Sequence, residues 1–289
     1  MKKMLSDFKN ELQSKYSYGD DLAETIVLAA ESVVDYVGSA YEEVVLNALL
    51  NCKINVQSTP KRKISEYRKK NSEFIVNPSV EDGKILGLSR EINLPSTFNV
   101  DSPVSMGTLI NSILSLVYTE ENSFMIDGDH LEKRVGFDIT SYKVDGDKII
   151  PKERIGYGLN AGILSYSELT IMRNDFDSNY EVYGSDYERI IAGYLCDNLG
   201  WKDVIIDAMI SGNFAEINDY MVNICGLNLE DFLREIDKLR DLEVKRTKMV
   251  GVEDRDLKNA LEELEQQFKQ VSSVIQKFNL SQKEKTVNF

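Results

Sequence analysis

The chain has 289 residues, 42% hydrophobic and 28% charged, which excludes a disordered chain and supplies core material for one large domain or two modest ones. Its 48 acidic residues outnumber 34 basic ones, for a formal net charge of -14. That field disfavours direct binding of nucleic acid or an anionic bilayer, and it suits docking on a basic partner protein as well as plain solubility.

Asp7, Lys9 and Glu11 fall where a signal peptide needs its apolar centre, and no run approaches the roughly 18 uncharged apolar residues of a membrane span. Cys52, Cys196 and Cys225 are far apart and suggest neither a disulfide framework nor a metal clip. A cytoplasmic protein without a cofactor is the expectation.

In chain order, 3–16 reads as a short amphipathic helix. Residues 19–51 carry helical spacing, from Leu22, Ile26 and Ala29 to Val45 and Leu49, with a break at Gly38-Ser39. Lys53 to Val56 alternates as a strand would. The stretch 61–70 follows, with Lys61-Arg62-Lys63 and Arg68-Lys69-Lys70 around Tyr67; it reads as a solvated face or an internal partner for acidic residues more readily than as a phosphate grip. Apolar bursts at 74–76, 85–88 and 92–94, punctuated by Pro78, Gly83 and Pro95, predict strands. Residues 104–119 return to helix. Asp127-Gly128-Asp129-His130 reads as a turn rather than a cation loop. Alternation of Val135, Phe137 and Ile139, with Asp145-Gly146 before Ile149-Ile150, predicts a hairpin over 135–150. Residues 160–173, 185–199, 201–210 and 214–224 are helical by spacing, with Asp175-Phe176-Asp177 as a solvated loop. Gly156-Tyr157-Gly158 lacks the third glycine of a dinucleotide fingerprint.

The tail differs. Leu257, Leu261, Leu264, Phe268, Val271, Ile275 and Phe278 alternate in steps of four and three, an apolar seam at heptad period. It serves either a helical hairpin on the chain's own domain or pairing with another chain, including a second copy. Phe232, Ile236 and Leu239 begin a similar seam before Gly251. The expected division is therefore 1–225 as one domain and 226–289 as a helical or coiled-coil-like tail.

The segment Met106-Gly107-Thr108-Leu109-Ile110-Asn111-Ser112-Ile113-Leu114-Ser115-Leu116-Val117 is an apolar helix with small polar residues at one set of positions. Downstream, Gly158-Leu159-Asn160-Ala161-Gly162-Ile163-Leu164-Ser165-Tyr166 opens another. Together they resemble zincin-like metallopeptidases of Gram-positive bacteria and their phages, in which an HExxH helix precedes a strand-rich insertion and a helix opening with a GLNEG-like stretch. The resemblance runs roughly over 19–225 and takes in Tyr36 to Glu43, Ile92 to Ser96, Cys196 to Gly200 and Ser211 to Phe214.

In such a site two His one turn apart bind zinc, the intervening Glu takes a proton from the bound water, and a Glu on the second helix completes the ligands. The resemblance puts the first His at Asn111, the general base at Ser112, the second His at Ser115 and the third ligand at Ala161. A further acidic position falls on Ser165. Amide and hydroxyl bind zinc too weakly to replace imidazole and carboxylate, and a methyl group binds nothing. His130 is the chain's single histidine, so no His pair exists and Ser or Cys nucleophiles lack a ready base. The order of elements suggests an α+β fold with helices packed on a small mixed sheet and a helical C-terminal appendage. The resemblance implies that this core is zincin-like and that it carries no catalysis. The expected role is a non-catalytic protein-binding module. Two other readings stand beside it: an acidic decoy for a nucleic-acid-binding partner, and an enzyme using paired carboxylates without metal.

Overall fold

The computed structural model describes residues 2–56, 72–81, 84–119, 124–127, 130–145, 148–182, 184–247 and 254–287. The basic stretch 61–70, Gly128-Asp129, Gly146 and Gly251 lie outside the described residues, as do the side chains of Leu257 and Phe278. The architecture is mixed, with helices and two small sheets, which is the α+β class expected. The chain forms two compact units. One comprises Met1–Glu121, Val144–Lys148 and Ser167–Val182; the other comprises Asn122–Lys143, Ile149–Tyr166 and Tyr183–Phe289. Residues 226–289 share a compact unit with segments from the middle of the sequence.

The first unit opens with helices α1 (Lys2–Tyr16), α2 (Asp20–Val37) and α3 (Glu42–Leu50). The break between α2 and α3 falls at Gly38, whose φ of 106° is open to glycine and strained for other residues; a single 3-10 turn, Ser39–Tyr41, follows it. Strands β1 (Lys53–Val56), β2 (Glu73–Glu81) and β3 (Lys84–Leu94) form a mixed sheet in the order β1-β3-β2, with β1 parallel and β2 antiparallel to β3. Ile92 in β3 stands opposite Ile54 on one side and Phe74 on the other. The separate apolar bursts at 85–88 and 92–94 are one strand, continuous through Ser89, Arg90 and Glu91, because β3 is the central strand and pairs along both edges.

Helix α4 (Pro103–Val117) begins at Ser102, whose Oγ accepts the Ser105 N–H, with Pro103 in its first turn. Leu109, Ile110, Ile113, Leu114 and Leu116 are all fully buried, so the helix is apolar nearly all round. Such a helix needs cover on every side. It packs on α2, α3, β2 and β3.

In the second unit, β4 (Phe124–Asp127), β5 (His130–Val135), β6 (Asp138–Asp145) and β7 (Lys148–Ile155) form a sheet in chain order. The hairpin expected over 135–150 is present as β6 and β7 but starts at Asp138, because the alternation at 135–139 is not one strand. Gly136 takes φ 57° and Asn160 Oδ1 accepts the Phe137 N–H at 3.2 Å, which turns the chain between β5 and β6. Helix α5 (Tyr157–Asp175) follows, its residues to Tyr166 in this unit and those from Ser167 in the first. Next come α6 (Asp186–Gly193), a π turn over Tyr194–Asn198 that ends the helix expected at 185–199, then α7 (Lys202–Ser211) and α8 (Ala215–Cys225). Helices α9 (Leu229–Thr247) and α10 (Asp254–Val287) pack on each other, and α10 also packs on α8.

The tail seam is spent here. Leu264, Val271 and Ile275 are buried and Phe268 rests on the Tyr187 ring at 5.0 Å, whereas Leu261 is 37% exposed. The seam is therefore largely core of its own unit rather than a free coiled-coil face. No helix among the described residues is long and apolar enough to cross a membrane.

Close backbone approach fixes where α5 starts. Gly156 has φ 76°, and a Cβ there would meet the Phe137 carbonyl, whose carbon would lie 2.9 Å away. Gly156→Ala should therefore lower the unfolding free energy by about 1–3 kcal/mol, read from urea midpoints. An unchanged midpoint would show that this approach is not tight.

Candidate functional site

The polar side chains of α4 are committed within the first unit. Asn111 Nδ2 donates to Glu168 Oε2 at 2.8 Å, and the Tyr180 hydroxyl donates to Glu168 Oε1 at 2.6 Å. Glu168 is 5% exposed, so both donors satisfy a buried carboxyl group. Room for Tyr180 comes from Gly107, where a Cβ would lie 2.6 Å from the phenol Cζ. Ser112 Oγ donates to the Thr108 carbonyl and Ser115 Oγ to the Asn111 carbonyl, each at 2.9 Å. Thr119 Oγ1 repeats the pattern on the Ser115 carbonyl at 2.7 Å. These hydroxyls pair one turn back along their own helix, a common way to seat small polar residues in a buried one.

This chemistry does not fit zinc. The Asn111 group facing Glu168 is an N–H donor, the two serine protons are engaged, and Glu168 is a single carboxylate with two donors on it. Among the described residues, no three His, Cys, Asp or Glu side chains are grouped as a metal site requires. Glu168 and Tyr180 are the residues that sequence reasoning missed. Glu168 follows Ala161 by seven residues on α5, hence on the same helix face, which was the available signal.

Ala161 and Ser165 lie in the second unit, Ala161 half-buried and Ser165 buried. The glycines and the asparagine around them have local packing roles. Asp237 accepts the Gly156 and Gly158 N–H groups, each at 2.7 Å, and so caps the start of α5. A Cβ at Gly158 would lie 2.8 Å from the Ile236 carbonyl oxygen, and one at Gly162 would lie 2.6 Å from the Glu188 carbonyl carbon. Asn160 holds the β5–β6 turn. Burial pushes the Asp237 carboxyl up to about 6, with Asp138 and Asp241 adding to the rise, although the two capping N–H groups pull the other way.

A second buried carboxyl group lies on α6. Glu188 is fully buried beside Glu243 of α9, and Arg240 Nη1 stands 3.2 Å from Glu243 but 3.7 Å from Glu188. As carboxylates, the two glutamates offer only acceptors to each other, and among the described residues neither Glu188 side-chain oxygen has a hydrogen-bond partner. A proton on Glu188 supplies the missing donor. Burial first, and Glu243 second, push this carboxyl up to about 8.

The second unit also holds an open apolar cleft of about 360 Å³. Ile139 and Ile155 supply one wall from the sheet, Phe214 and Ala215 a second from the start of α8, and Leu229 and Leu233 a third from α9. Phe137 stacks on Phe214 at 5.0 Å. Asn218 and Glu230 are the polar lining residues, and Asn218 Oδ1 accepts the Leu229 N–H. Sequence reading missed this cleft because its residues come from three distant segments.

No protein-family model, curated protein or solved structure matches the chain.

Glu168→Ala strips a buried amide and a buried hydroxyl of their acceptor. It should cost about 2–4 kcal/mol, while Glu168→Gln, which keeps one acceptor oxygen, should cost less. Equal losses in urea melts would show that the carboxyl group is not the organising acceptor. For Glu188 the folded-state pKa is raised, so the folded chain holds an extra proton between the ordinary carboxyl range and about 8. Its contribution is complete below that ordinary range and disappears as pH rises through about 8. Glu188→Gln carries a permanent donor and should flatten the fall of Tm over this window, gaining roughly 3 °C or more over the parent at alkaline pH. Parallel Tm profiles for the two proteins would refute the proton-sharing account.

Proposed function

We propose that this chain is a catalytically inactive, zincin-like protein that binds a segment of a protein partner. One observation carries the reading. The side chains at the three positions that would serve metal chemistry on α4 are bonded inside their own unit, Asn111 to Glu168, and Ser112 and Ser115 to carbonyls of their own helix. An amide and two hydroxyls bind zinc weakly and none is a base near neutral pH, and these donor bonds fix all three side chains in the packing of the unit. The packing of α4 on β2 and β3 supports the reading, because a zincin-type motif helix rests on its sheet.

With the chemistry gone, what remains for recognition is surface. The net charge of -14 favours a partner with basic character, and the antiparallel edge strand β2 offers main-chain groups to an extended segment. The proposed location is cytoplasmic. Binding energy in this reading comes from apolar and charge contacts rather than from a bound ion.

Calorimetric titration of the whole chain with Zn²⁺ should show no stoichiometric site tighter than about 10 µM. The double variant Asn111→His, Ser115→His puts two imidazoles one turn apart next to Glu168, and it should gain a Co²⁺ site with tetrahedral absorption bands. A tight zinc site in the parent that vanishes on Asn111→Ala would overturn the inactive reading. A folded double variant that takes no metal would remove the support for zincin kinship.

A further inference from the structure

Charge is distributed unevenly about the cleft of the second unit. Glu230 lines it, and Glu153 stands two residues before the lining residue Ile155 on β7, hence on the same strand face. Arg234 is shared between them, at 2.7 Å from Glu230 and 2.8 Å from Glu153, so one guanidinium serves two carboxylates. Asp219 is exposed, next to the lining residue Asn218 and one turn beyond Ala215. Arg134 lies over the Phe214 ring at 5.3 Å and donates to the Gly212 carbonyl at 2.7 Å, so two guanidiniums stand among Glu153, Asp219 and Glu230. With Glu216 and Asp231 in the first turns of α8 and α9, the balance about the apolar hollow stays negative.

Two helices start at this cleft, and bare N-terminal turns would favour an anion. These turns are already occupied. Asn213 Oδ1 accepts the Ala215 N–H at 3.1 Å and Asn228 Oδ1 accepts the Asp231 N–H at 2.8 Å. Glu216 stands in the first turn of α8, with Glu230 and Asp231 in the first turn of α9. An incoming carboxylate or phosphate would meet these acids first.

We propose that the cleft is a peptide-docking site that takes one large apolar side chain, Leu or Phe, from a segment whose flanking residues are Lys or Arg. This deepens the protein-binding reading above and rests on it. The apolar side chain leaves water against Ile139, Ile155 and Phe214, while the flanking cations meet Glu230, Glu153 and Asp219. The cleft volume of about 360 Å³ is at the low end for ligand pockets, matching one or two side chains rather than a whole helix face. Rim charge also sets selectivity, because an acid-flanked segment would be repelled.

The test uses the full chain and three fluorescein-labelled peptides followed by anisotropy: Lys-Arg-Leu-Phe-Lys-Arg, Glu-Asp-Leu-Phe-Glu-Asp, and Lys-Arg-Ser-Ser-Lys-Arg. The first should bind, and the other two should bind at least about tenfold more weakly. Ala215 is exposed, so Ala215→Trp plugs the cleft without disturbing core, and it should cost the first peptide about tenfold with an unchanged circular dichroism spectrum. Asp219→Lys should weaken the same peptide several-fold and reduce its salt dependence. Equal binding of the serine peptide, equal binding of the acidic peptide, or indifference to Ala215→Trp would each overturn the proposal. So would failure of the first peptide to bind at about 1 mM. The zinc and cobalt titrations concern the first unit alone, so their outcome is independent of this one.

Discussion

A carboxyl group with almost no access to water must keep its hydrogen bonds or lose a large part of the fold's stability. Glu168 is in that position, and the Asn111 amide and the Tyr180 hydroxyl are the donors seated on its two oxygens. Tyr180 can reach it because Gly107 has no side chain to stand in the way. One buried acid thereby ties α4, the far half of α5 and the turn that begins at Asp177 within the first unit. The same bonds use the Asn111 amide, which stands where the resemblance places a metal ligand.

In the second unit the constraint is backbone contact rather than a buried bond. Gly156, Gly158 and Gly162 let α5 lie against carbonyl groups of Phe137, Ile236 and Glu188, and Asp237 caps the N–H groups at the start of that helix. The glycine spacing of 156–162 is therefore what this close packing demands. Glu188 is the cost of that contact: its backbone carbonyl meets Gly162, and its side chain is carried into a dry space next to another acid. A shared proton is the least costly way to accommodate the pair, because ionising both would put two negative charges against one guanidinium.

Much of the first unit was legible in the sequence. The apolar run of 104–119 had to be a buried helix, since few polar residues interrupt it, and α4 occupies Pro103–Val117. Gly38 marked the break between α2 and α3, and the alternation at 53–56 became β1. The errors share a pattern. Val135, Phe137 and Ile139 alternate, yet Asn160, far along the chain, turns the backbone between them. The seam from Leu261 to Ile275 has heptad spacing, yet spacing alone does not say which surface covers it; α8 and α9 do. Asn111, Ser112 and Ser115 could be named in advance, whereas Glu168 and Tyr180 could not be assigned to them.

By itself the sequence determined the class of elements, the net charge, the absence of a histidine pair and the polarity of each helix face, all of which follow from residue type and local period. Tertiary structure decided what each face meets: that the Asn111 amide is spent on Glu168, that Glu188 lies beside Glu243, that Leu264, Val271 and Ile275 of the tail seam are core, and that separated segments enclose an apolar cleft with an acidic rim. The reason is physical. Periodicity reports how side chains are arranged around one element, but hydrogen-bond partners, burial and proton affinity depend on atoms that only the folded chain brings within a few ångströms.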